Sequence, residues 1–201
     1  HCKWNMEHNL MSTLSIKELS HPSGEVIKIA AGKTLDLKTQ GTTTLPTGSV
    51  LQVVSTTKTD TFSVSGNTYS DVTGLTATIT PTSTSSKIFV QVTMNLDSSQ
   101  RYSGSKLFRT STQIGMGAAS GSRVQMFAQS ATDPSAGYSV NLMHNVAGSI
   151  LDSPATTSAT TYKIQIGGSD TNGVTYLNRS SSDGSDAARG MSTITLMEIQ
   201  G

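Results

Sequence analysis

The groups able to do acid–base or metal chemistry are few, and their placement limits what they can do. The glutamates are Glu7, Glu18, Glu25 and Glu198, so none lies between residues 26 and 197. A glycosidase-type carboxylate pair across that span would have to come from aspartates alone. Asp60, Asp71, Asp97, Asp133, Asp152, Asp170, Asp183 and Asp186 sit mostly in segments that read as turns. There an aspartate side chain serves backbone hydrogen bonding rather than proton transfer. His144 is the only histidine beyond residue 21. It falls in register with Val140, Leu142 and Val146, which makes it a core or subunit-interface histidine ahead of a catalytic one.

Other chemistries fare no better. His1, Cys2 and His8 have the right ligand types for zinc, but their spacing fits no standard site. The acidic, glycine-containing stretches SDTNG (169–173) and SSSDGSDAARG (180–190) lack the closing glutamate of an EF-hand loop. No G-x-S-x-G elbow and no phosphate-cradling glycine motif occurs. Asn178-Arg179-Ser180 is a formal glycosylation sequon. The chain is therefore expected to be no enzyme and to use no cofactor and no metal.

The bulk composition turns attention to the scaffold. Apolar residues make up 34% and charged residues 13%, both low for a globular chain, with serine and threonine filling the difference. Disordered chains are poor in apolar residues but rich in charge, so this one reads as folded and β-rich. A net charge of +1, with scattered Lys and Arg, speaks against nucleic-acid binding. No apolar run reaches the roughly 20 residues that cross a bilayer as a helix, and the start HCKWNMEHNL has no signal-peptide core. One cysteine, Cys2, excludes an intrachain disulfide. Stability must come from a well-packed sandwich or from burial against copies of the chain.

The elements follow from period-two alternation. KIFVQVTMNLD (87–97) puts Ile88, Val90, Val92, Met94 and Leu96 on one face. SVLQVVS (49–55), TFSV (61–64), GLTATIT (74–80), TYKIQIG (161–167), VTYLN (174–178) and STITLMEI (192–199) read as strands. YSVNLMHNVAG (138–148) also alternates, while KLFRTSTQIG (106–115) and RVQMFAQ (123–129) are weaker strand stretches. With no amphipathic helix, this spacing predicts an all-β antiparallel sandwich over residues 49–201, of the jelly-roll kind. Residues 11–48 carry only short apolar bits, VIKIA (26–30) and LDL (35–37), and read as an attachment arm or stalk. Residues 1–10 read as a separate extension of undetermined origin.

Several blocks together carry a resemblance: MSTLSIKELSHPSG (11–24), GSVLQVVSTTKTDTFS (48–63), YSDVTGLTATITPTSTSSKIFV (69–90), LDSPATTSATTYKIQ (151–165) and STITLMEIQG (192–201). In that order they resemble the small fibre-like virion proteins of tailed phages, especially phages of marine bacteria. The resemblance implies a homotrimer at the virion surface with a tumour-necrosis-factor-like jelly roll. Residues 11–48 would attach it to another virion protein, and its loops would meet a host-surface glycan. Arg101, Tyr102, Arg123, Asp170, Asn172, Tyr176, Asn178 and Arg179 are the receptor-binding loop candidates, since Tyr and Arg are favoured binding residues. Phe89 and His144 are the trimer-interface candidates. The alternative is a capsid decoration or head-fibre protein that stabilises the shell and binds no receptor.

Overall fold

A computed structural model of the chain describes residues 31–32, 45–99, 102–131, 142–168 and 171–201. The chain divides into two units, His1–Thr44 and Leu45–Gly201, and every strand described lies in the second. The extension 1–10, nearly all of the arm over 11–44, Arg101, Asp170 and residues 132–141 lie outside the described residues.

Eleven strands are described: β1 (Val50–Lys58), β2 (Phe62–Ser65), β3 (Tyr69–Ile79), β4 (Lys87–Ser98), β5 (Tyr102–Arg109), β6 (Thr112–Ile114), β7 (Ala128–Ala131), β8 (His144–Asp152), β9 (Thr160–Gly168), β10 (Val174–Leu177) and β11 (Ser192–Ile199). They form two antiparallel sheets packed face to face as a β-sandwich. In the first sheet β8 pairs with one edge of β4 along nearly its whole length. The other edge is shared by two strands in succession, β11 over residues 87–93 and β10 over residues 96–98. Outside these lie β1 against β11 and β2 against β10. The second sheet runs β3, β9, β5, and the far edge of β5 is likewise shared, by β6 and β7.

The alternation of β4 explains why the sheets meet. Ile88, Val90, Val92, Met94 and Leu96 are all fully buried, facing Leu75, Ile79, Leu107, Tyr162, Ile164 and Ile166 across the core. Burying each of the five is worth about 1.5–3 kcal/mol before chain entropy is counted. β-branched residues dominate because they suit a pleated surface.

The structure departs from the expected elements at several places, and among the described residues YSVNLMHNVAG is strand only from His144, continuing to Asp152. KLFRTSTQIG is a hairpin, with Thr110 at φ 55° turning β5 into β6. RVQMFAQ joins the sheet only from Ala128, because Met126 and Phe127 turn aside to cover glycines. Aspartates expected in turns lie in strands at positions 71, 97 and 152.

Candidate functional site

The carboxylates that lie within the fold are occupied by its own groups. Glu198 is fully buried on the inner side of β11. Its Oε1 accepts the Thr82 amide at 2.6 Å and the Thr82 hydroxyl at 2.7 Å, and its Oε2 accepts Gln52 Nε2 at 2.6 Å. Burial alone would raise its pKa, but the hydrogen bonds from Gln52 and Thr82 outweigh that and hold it below the ordinary 4.5. Gln52 also donates to Thr80 O at 2.8 Å, so this acid ties β1 and β11 to the chain that passes from β3 to β4.

Asp152, one strand beyond Ile88 on the same inner row, bridges the sheets. Arg109 Nη1 donates to its two oxygens at 2.8 and 2.9 Å, and the Tyr162 hydroxyl donates to Oδ2 at 2.7 Å. Burial, then the bond to Asp152, pushes the Tyr162 phenol far above its ordinary value. Asp97 is buried and accepts the Ser98 and Ser181 amides at 2.7 and 2.6 Å. These arrangements tie separate stretches of the chain together. Among the described residues no three His, Cys, Asp or Glu side chains converge on a metal-sized site.

Residues 178–191 leave the first sheet between β10 and β11, and Asn178 fastens the departure. It sits at φ 61° and is fully buried. Its Nδ2 donates to Lys58 O at 2.8 Å and Asp60 O at 3.0 Å, and its Oδ1 accepts the Ser192 hydroxyl at 2.6 Å. Its own amide donates to Asn95 O and its carbonyl accepts from Gly190 N. Asn178 is one of the receptor-binding loop candidates and the asparagine of the formal sequon. Its full burial and fully engaged carboxamide leave it nothing to offer a receptor or a glycan.

The remaining loop candidates do not form one site. Tyr102 is 42% exposed, and Asn172 is exposed in the turn between β9 and β10. Both lie at the end of the sandwich where Ser99 and Val174 exchange hydrogen bonds. Tyr176 is on the outer face of β10 beside Asp97, with the Arg179 guanidinium 4.9 Å above its ring. Arg179 Nε also donates to Ser180 O at 2.9 Å. Arg123 is exposed on the chain between β6 and β7, away from both.

The two interface candidates separate too. His144 pairs with the buried Leu96 and shares its face of β8 with Val146, so it points toward the core, and its Nε2 is buried with no hydrogen-bond partner. Phe89 lies on the opposite, outer face of the same sheet. There it belongs to a row that local sequence reading missed. Val53 pairs with Met197, Met197 with Phe89, and Phe89 with Leu151, so four apolar residues from β1, β11, β4 and β8 stand side by side. Val53 is 56% and Leu151 59% exposed. Val50 and Ile199, paired one step along, extend the row toward one end. Only the cross-strand register brings these residues together, so no single segment could signal it.

No protein-family model matches this chain, and no curated protein sequence matches it.

Proposed function

We infer that the protein is a structural component of a phage particle, a homotrimeric fibre that projects from the virion surface and contributes to host-surface attachment. The observation that carries this reading is the outer apolar row Val53–Met197–Phe89–Leu151. A face of this kind on an otherwise threonine- and serine-covered sheet is costly to leave in water, and burial against a second copy removes the cost. Interlocked copies also supply slow unfolding to a chain whose one cysteine cannot make an internal bridge.

The strand order supports the finer reading of the fold as a jelly roll. If β1 with β2, β6 with β7, and β10 with β11 are each taken as one interrupted strand, two four-stranded layers result. Their orders, in sequence numbering of the eight, are 1-8-3-6 and 2-7-4-5, the alternation of layers that two Greek keys produce.

The mass of the purified chain in solution at micromolar concentration tests the assembly. Three chain masses are expected, and a single 21.1 kDa species overturns it. Labelling the protein on intact particles tests its place. A few copies at one vertex fit an attachment fibre, whereas many copies over the shell fit capsid decoration and remove the receptor role.

A further inference from the structure

Residues 115–127, between β6 and β7, cross the edge of the second sheet without regular structure, yet they are pinned. Gln125 Nε2 donates to Gly117 O at 2.6 Å, and Gln113 Nε2 donates to Gln125 O at 3.1 Å. The Phe127 amide donates to Ser105 O at 2.8 Å, and its ring lies against Gly148, where a Cβ would stand 2.7 Å from the ring. The Met126 thioether fills the space that a side chain on Gly104 would take, and it accepts the Tyr69 hydroxyl at 3.6 Å.

This pinned chain borders an open surface hollow of about 300 Å³, lined among others by Gly117, Arg123, Val124, Met126 and Gln129. Val124 is 59% exposed, so an apolar wall stands uncovered beside a guanidinium. Arg123 makes one side-chain hydrogen bond within the described residues, to Ser120 Oγ at 3.3 Å. The ion pairs of the described residues use Lys58, Arg109 and Lys163 instead.

We propose that this hollow binds a single anionic sugar unit. Its carboxylate or sulfate would lie on the Arg123 fork, its C–H face on Val124 and Met126, and a hydroxyl on the Gln129 carboxamide. The proposal rests on the reading of the protein as a surface-attachment component, and it names the ligand class and the place. The volume is at the small end of ligand cavities and suits one ring. A planar guanidinium matches a carboxylate or sulfate better than a lone ammonium does. Among the described residues no aromatic ring lines the hollow on which a nucleobase could stack. Its openness suits one unit of a longer surface polymer, whose neighbours continue into solvent.

The test titrates the full chain with glucuronic acid, glucose 6-sulfate and glucose, followed by ligand-observed NMR. At least one anionic sugar is expected to bind in the millimolar range, with glucose about tenfold weaker or worse. Arg123→Gln should weaken the anionic sugar about tenfold while leaving the melting temperature unchanged, and Arg123→Lys should restore part of the affinity. Equal binding of glucose, unchanged affinity in Arg123→Gln, or no binding of either anionic sugar overturns the proposal. Such a failure leaves the solution mass and the particle location untouched, so it is distinguishable from failure of the fibre reading.

Discussion

The two sheets face outward with different surfaces. On the second sheet several apolar and charged groups on the outer side meet another group of the same chain. Tyr69 lies in the row Tyr69–Gly167–Gly104–Gln129, and its hydroxyl stands beside the space that a side chain on Gly104 would take. Lys106 Nζ sits 4.2 Å above that ring, Lys163 and Gln165 both donate to Asp71, and Thr78 shares a hydrogen bond with Thr161. On the first sheet no described residue gives the row through Phe89 such cover, and the outermost members, Val53 and Leu151, are more than half exposed. Among the described residues, side chains of the chain itself cover much of the second sheet's outer side but not the row through Phe89. Composition alone does not reveal such a row. The register that aligns apolar residues across four strands does.

Charging the first face should break the comparison most sharply. Phe89→Asp with Met197→Asp is expected to weaken self-association more than about a hundredfold, since two buried apolar side chains are lost. Light scattering should then report single chains, while Thr78→Asp on the second face leaves the mass unchanged. Retention of the assembled mass in the double variant would remove the row as the contact. The next effect concerns the second face. A Cβ on Gly167 would collide with the backbone carbonyl of Thr68. Gly167→Ala should therefore cost about 2 kcal/mol in denaturant unfolding, with the variant still assembling.

Glu198 sharpens the contrast from behind, as it lies between the outer residues Met197 and Ile199 on β11. Its folded pKa is held below the ordinary 4.5. It therefore stabilises the fold above pH 4.5, and this contribution is lost as pH falls through the lower folded value. Glu198→Gln should cost about 1 kcal/mol at neutral pH and flatten the acid side of a stability–pH curve. An unchanged acid limb would show that the carboxylate contributes nothing there. The smallest effect belongs to the half-exposed pair Asp71–Lys163. Asp71→Asn should shift stability by less than about 1 kcal/mol, with the difference fading in high salt.

Legibility in the sequence followed local regularity. β11 coincides with STITLMEI and β4 with KIFVQVTMNLD to within a residue, because strict alternation with one apolar face fixes both span and orientation. β3 begins five residues before the stretch read from Gly74, since an irregularity between Asp71 and Thr76 breaks the period and buries both Val72 and Leu75. The β5–β6 turn escaped notice because it is made by Thr110 and Ser111 rather than by glycine or asparagine. The site was less legible. Phe89 stands out because it interrupts the polar side of one strand, but its neighbours in the row, Val53, Met197 and Leu151, come from three other segments. Asn178 read as a surface residue because its neighbours are Arg and Ser, and nothing local signals that its amide closes a gap between β1 and β2.

That gap-closing asparagine has a wider meaning. The ladder resumes at Ser192 in the direction it left at Leu177, with Asn95 and Asp97 gripping the stems. The scaffold is thus sealed beneath residues 182–187, and lengthening a closed loop adds only about 0.6 kcal/mol per doubling. This patch can be rewritten or grafted with foreign peptide while the sandwich beneath it keeps its shape, so evolution, or an engineer, can retune the loop without renegotiating the core.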